Sequence, residues 1–167
     1  MNLKFDIKLA DSYKSASQIA RVLTENWVKD NSYCPNCGTE KINEYPNNTP
    51  VGDFFCAICK EDFELKSKDG KLGNKIVDGS YSSMMTRITS SNNPNFFFLT
   101  YNKSYWSVND FLIIPKHFFQ TEIIEKRPPL ADTARRAGWI GWNIDLQKIP
   151  DLGRIFLVKN STVTDRN

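Results

Sequence analysis

The stretch Asp53-Phe54-Phe55-Cys56-Ala57-Ile58-Cys59-Lys60-Glu61-Asp62-Phe63-Glu64-Leu65-Lys66 decides the reading of the fold. Residues 51–58 and 63–67 are short stretches of mixed apolar and polar residues that read as two short strands. They are expected to pair as a hairpin whose turn is held by Cys56 and Cys59. Residues two apart on a strand share a face. Glu64 and Lys66 therefore point together, Leu65 points into the core, and Asp53 on the neighbouring strand can join the pair. Two adjacent carboxylates bind a hard divalent cation such as Mg²⁺ through oxygen. A lysine beside them offers a charge for a phosphate oxygen or a base for water, which equips the site for metal-assisted phosphodiester hydrolysis. Glu-x-Lys on a strand is also the pattern of a solvated charge pair, and residue type alone leaves both readings open.

Cys34-Pro35-Asn36-Cys37 repeats the spacing of Cys56-Ala57-Ile58-Cys59, with eighteen residues between the pairs. Four thiolates so spaced can surround one tetrahedral ion, in the pattern of a zinc ribbon, and Gly38 follows the first pair as in a zinc knuckle. Four buried thiols or two disulfides are the alternatives. Residues 1–11 lack the apolar core of a signal peptide, so a secreted, disulfide-forming chain is not expected. Zinc bound here is structural and names no function, but it would fix how the Asp53 strand sits against the Glu64 strand.

The remaining sequence bounds the class. The chain has 167 residues, 40% hydrophobic and 25% charged, which excludes wholesale disorder, a coiled coil and a collagen-like chain. No apolar run approaches the ~20 residues of a membrane helix. The net charge of +3 permits an acidic partner such as nucleic acid without requiring one. Residues 3–9 alternate as a short strand or extended arm. Ala16, Ile19, Ala20, Leu23 and Trp27 fall at helical spacing within 15–29, with Ser15 placed to cap. Residues 43–50 and 70–73 read as loop and turn, 80–88 as a second helix, and 107–115 and 154–159 as strands. Phe96-Phe97-Phe98-Leu99, in 95–101, is the continuous apolar run of a strand buried on both faces. That strand is expected at the centre of an α/β fold, a small mixed sheet flanked by helices.

Several stretches together resemble the DpnI-type family of methyl-directed restriction endonucleases, within the PD-(D/E)xK nuclease superfamily. They are Ser32-Tyr33-Cys34-Pro35-Asn36-Cys37-Gly38, Asp53-Phe54, Phe63-Glu64-Leu65-Lys66-Ser67-Lys68, Asn92-Asn93-Pro94-Asn95-Phe96-Phe97-Phe98-Leu99-Thr100-Tyr101, Thr133-Ala134-Arg135-Arg136-Ala137-Gly138-Trp139-Ile140-Gly141 and Gly153-Arg154-Ile155-Phe156-Leu157-Val158. The resemblance covers nearly the whole chain. It implies a PD-(D/E)xK core over 1–160, a zinc-binding insertion at about 32–60, and a polar tail over 161–167 that is expected to fray. It implies Asp53, Glu64 and Lys66 as catalytic residues, and Mg²⁺ held by Asp53, Glu64 and the carbonyl of Leu65. It assigns Zn²⁺ to Cys34, Cys37, Cys56 and Cys59. The implied activity is a bacterial, cytoplasmic type II endonuclease that cuts double-stranded DNA at GATC containing 6-methyladenine, as a monomer or a transient dimer on DNA. Family members carry a further C-terminal winged-helix domain, which is expected to be absent here.

Trp139, Ile140 and Trp142 are candidates for a methyl-base pocket, with Arg135 and Arg136 for phosphate or guanine. Core tryptophans and solvated arginines are the competing reading. Glu25 is a candidate accessory acid. His117, the single histidine, lacks neighbours at metal-ligand spacing. A non-catalytic zinc-containing reader of methylated DNA, or half of a split enzyme acting with a winged-helix partner, would keep much of the same sequence.

Overall fold

The computed structural model describes residues 1–167 apart from Asn48, Pro50, Val51, Asn92 and 165–167, and apart from the side chain of Asp78. The fold is mixed α/β. The strands of the larger sheet are β1 (Asn43–Glu44), β2 (Phe54–Phe55), β3 (Asp62–Asp69), β5 (Asn95–Asn102), β6 (Ser107–Ile114), β9 (Ile155–Lys159) and β10 (Thr162–Val163), side by side in that order. β4 (Lys75–Ser80), β7 (Ile124–Lys126) and β8 (Gly141–Asp145) form a second sheet in the order β4-β8-β7. The helices are α1 (Ala16–Asn31) and α2 (Tyr81–Ile88).

β5 is the fourth of the seven strands, central as its composition predicts. It runs parallel to β3 and antiparallel to β6. Strand alternation sends its side chains into two cores. Phe97, Leu99 and Tyr101 join Phe63, Phe111 and the α1 residues Leu23, Trp27 and Val28 on one face. Phe96 and Phe98 join Leu112, Ile114, Trp142 and Ile144 on the other, against the second sheet. The Phe97 ring stacks on Phe63 at 4.8 Å, tying the central strand to the strand that carries Glu64 and Lys66. Asp110 is buried in β6 but satisfied, accepting from Thr100 Oγ1 at 2.9 Å and Asn160 N at 3.0 Å.

Several sequence expectations need correction. Residues 3–9 supply only the bridge from Lys4 to Ser107. Asp6 then accepts from Lys8 N and starts a 3₁₀ turn over Ile7–Ala10. The strand expected over 51–58 shortens to β2, because Cys56 already begins a turn that Lys60 N closes on Cys56 O; Val51 lies outside the described residues. The 43–50 loop contributes β1, which pairs with β2, while Asn48 and Pro50 lie outside the description. The turn at 70–73 leads directly into β4, which alternation did not reveal. The tail is not wholly frayed: Asn160 and Ser161, at φ 50° and 57°, make a tight reversal that folds β10 onto β9. The family stretch beginning at Asn92 loses that residue from the description.

Phe97 lies fully buried between the β2–β3 hairpin, α1 and β6. Phe97→Ala is expected to cost about 3–5 kcal/mol by leaving a cavity. Denaturant unfolding measures this, and a cost below about 1 kcal/mol would contradict the packing described.

Candidate active site

The four cysteines converge. Their Sγ atoms all lie within 4.8 Å of one another, with Cys34 to Cys59 at 3.5 Å and Cys37 to Cys56 at 3.6 Å. A tetrahedral zinc with ~2.3 Å bonds to sulfur requires about 3.8 Å between sulfurs, and a disulfide only about 2 Å. The spacing fits an ion. Each Cys-x-x-Cys closes the same turn: Gly38 N donates to Cys34 O, and Lys60 N to Cys56 O. The residue after each pair is left-handed, Gly38 at φ 76° and Lys60 at φ 63°. Burial pushes the Cys34 thiol up to about 12, whereas the Thr39 hydroxyl pulls Cys37 down to about 6. A bound cation would draw all four to the thiolate.

Immediately before the second knuckle, Asp53 is held on both sides. Its N–H donates to Phe63 O and its carbonyl accepts from Tyr45 N, each at 2.9 Å. Gly52 makes this close approach possible, since a Cβ there would lie 2.9 Å from Phe63 O. The Asp53 side chain reaches across to β3, where Oδ2 accepts from Leu65 N at 2.7 Å. On an extended strand the N–H and C=O of one residue lie on the same side. The Leu65 carbonyl therefore shares the strand edge on which Asp53 sits. Burial raises the Asp53 pKa, opposed by the Leu65 hydrogen bond and reinforced by the nearby Glu64 charge.

Glu64 stands between two cations. Oε1 lies 2.5 Å from Lys66 Nζ, and Oε2 lies 2.6 Å from Arg87 Nη1 at the last turn of α2. Oε2 is buried and accepts no hydrogen bond among the described residues. A carboxylate oxygen so placed, with the Leu65 carbonyl of β3 and the Asp53 carboxylate reaching β3 from the neighbouring segment, is a donor set suited to a hard divalent cation. Asp53, Glu64, Leu65 and Lys66 line one cavity of about 420 Å³ with Glu25 and Arg21 of α1. Glu25 thus shares the cavity of the predicted acids. Burial pushes it up to about 7, against the opposing charge of Arg21.

The DNA-binding candidates lie in β8 of the second sheet and in the loop that leads into it. Residues 128–140 form a loop tied off by Arg127 N to Gly141 O, Leu130 N to Trp139 O and Gly138 N to Leu130 O, and Arg135 and Arg136 are exposed on it. The Arg136 guanidinium stacks over the half-buried Trp139 ring at 4.3 Å. Ile140 is half-buried, and its carbonyl accepts from Tyr81 N at the start of α2. Trp142 is different. At 1% exposure it lies in β8, edge-on to Phe119, and supports this region from the core instead of offering its ring to solvent. His117 is exposed against Phe118 and is not among the residues lining the Asp53 cavity. Arg87 is the residue that sequence reading missed, because nothing in its own segment links it to Glu64.

Two outcomes follow from this geometry. Stripping the ion with a strong chelator, or Cys56→Ser, is expected to lower the melting temperature by about 10 °C or more, since a structural metal contributes folding free energy. An unchanged melt, with no zinc found by elemental analysis of the purified chain, would contradict the metal site. Glu25 titrates near 7 when folded, against 4.5 as its ordinary value. The folded state therefore favours its protonated form, and that stabilisation is lost as pH rises from 4.5 through about 7. Glu25→Gln should raise the melting temperature at pH 8 and leave it unchanged at pH 4. An equal effect at both values would show that Glu25 is not buried as described.

A family model described as "DpnI: Dam-replacing family" matches residues 1–167. No helix among the described residues is long and apolar enough to cross a membrane. With the match spanning the whole chain, and with acids, lysine and four cysteines in one continuous unit, the chain belongs to the DpnI, Dam-replacing family of restriction endonucleases, and is a nuclease of that class.

Proposed function

We propose that this chain is a metal-dependent type II endonuclease that hydrolyses double-stranded DNA at GATC containing 6-methyladenine. Its catalytic centre is Asp53, Glu64 and Lys66 on a PD-(D/E)xK core. The observation that carries the reading is the bond from Leu65 N–H to the Asp53 carboxylate, which seats an acid from one strand beside the acid and lysine of the next.

Asp53, Glu64 and the Leu65 carbonyl would hold Mg²⁺. The cation would lower the pKa of water and neutralise charge on the scissile phosphate. Lys66, held beside Glu64, orients the attacking water or stabilises the negative charge that develops on the phosphate oxygens. Water attacks phosphorus and the bond to the 3′ oxygen breaks, leaving a 5′-phosphate and a 3′-hydroxyl. Glu25 stands across the cavity as an accessory acid able to hold a proton near neutral pH. One chain supplies one such site, so a double-strand break takes two copies on the DNA or two successive nicks. The Arg136–Trp139 stack and Ile140, in the loop that leads into β8, are the parts that would face DNA, with Arg135 beside them. One methyl in an apolar pocket supplies about 1–3 kcal/mol, so discrimination also needs a penalty against the unmethylated amine.

The test is incubation with Mg²⁺ and plasmid DNA, fully methylated or unmethylated at GATC. Cutting is expected only of the methylated plasmid, and equal cutting of both would remove the methyl requirement. Asp53→Ala or Lys66→Ala should lower the rate by about 10²–10⁴ while leaving DNA binding intact. Tight binding of methylated DNA without any cutting by the unmutated chain would instead identify a reader.

A further inference from the structure

Arg87 occupies a place that the catalytic scheme leaves unexplained. It projects from the last turn of the eight-residue helix α2, and its Nη1 lies 2.6 Å from Glu64 Oε2. That oxygen is buried and yet accepts no hydrogen bond among the described residues, so the guanidinium stands beside it as a charge. The other oxygen of the carboxylate faces Lys66 at 2.5 Å. Both side chains of the Arg87–Glu64 pair are largely shielded, at 22% and 13% exposure, so solvent screens them little. The centre therefore brings two positive side chains to one of its two principal carboxylates. Lys66 is accounted for by chemistry at the phosphate. Arg87 comes from a helix that docks on the second sheet, through Tyr81 N to Ile140 O, and lines the Trp142 side of Glu64.

We propose that Arg87 is a positioning residue that acts as an internal stand-in for the divalent cation. It holds Glu64 in its catalytic place while no ion is bound, and it competes with the ion for Oε2. The inference rests on the metal-dependent reading above. A buried carboxylate without a counter-charge would turn away toward solvent, and the guanidinium 2.6 Å from Oε2 holds it in place. The same charge repels a divalent ion arriving at Asp53 and Glu64, so Arg87 sets the concentration of cation at which the centre fills. Neither role needs Arg87 to touch DNA.

The experiment is calorimetric titration of Mn²⁺ into the zinc-loaded full chain, without DNA, for the unmutated protein and for Arg87→Met, Arg87→Lys and Asp53→Ala. Met keeps much of the length of the side chain and removes its charge. Arg87→Met is expected to bind Mn²⁺ about tenfold more tightly, the scale of removing one nearby like charge from a divalent site. Arg87→Lys, which restores the charge, should stay within about threefold of the unmutated chain, an arm that loss of packing alone would not reproduce. Unchanged or weaker binding by a folded Arg87→Met, as judged by its melting curve, overturns the proposal. If Arg87→Met does not fold, Arg87→Lys decides: its guanidinium-free charge must leave Mn²⁺ affinity near that of the unmutated chain, and tenfold weaker binding overturns the proposal. Binding by the unmutated chain that survives Asp53→Ala, or no binding by any variant, overturns the metal site itself and the proposal with it.

Discussion

The hydrogen bond from Leu65 N–H to the Asp53 carboxylate is the interaction on which the functional arrangement hangs. β2 is two residues long, too short to hold its own register. Its place is set by what surrounds it: the Cys56 knuckle after it, the Gly52 approach to Phe63 before it, and β1 on its outer edge. With the Asp53 backbone so held, its side chain reaches across and occupies a main-chain donor of β3. That contact converts a hairpin of modest length into a rigid platform for an acid, a second acid and an amine.

The cysteine cluster and the central strand support the platform from opposite sides. The two knuckles use the same backbone solution, a left-handed residue after each Cys pair, although one employs Gly38 and the other Lys60. The ion they are spaced to hold would cross-link the end of α1, the β1 approach and the β2–β3 turn. On the far side, Phe63 stacks on Phe97 across the parallel β3–β5 pair and packs β3 onto the central strand. Charge is then distributed over a well-packed frame, with Lys66 and Arg87 flanking Glu64 and with Glu25 and Asp53 sharing a cavity that disfavours ionisation of both.

Much of this was legible in the sequence. α1 and α2 announce themselves because their apolar residues repeat at helical period, β5, β6 and β9 because they carry continuous apolar runs, and the cysteine spacing points to one four-thiol cluster without tertiary knowledge. The second sheet was not legible. Among the described residues of β4 only Ile76 is buried while Val77 is 63% exposed, so no alternation marks it. β8 begins at Gly141 and carries Trp142 beside polar Asn143, a pattern that reads as loop until β4 and β7 close on it. The same blindness explains Trp142, which looks like a surface aromatic among arginines and glycines but fills the second core. Arg87 was beyond reach for another reason: its partner is twenty-three positions away, on the other side of a strand and a turn.

The most direct measurement is anomalous diffraction from crystals of the full chain grown with zinc and soaked in Mn²⁺. This account expects one peak at the zinc edge among the four cysteine sulfurs and a separate manganese peak touching Asp53, Glu64 and the Leu65 carbonyl. Manganese absent from that position, with the Asp53 and Glu64 side chains turned into separate environments, would contradict it.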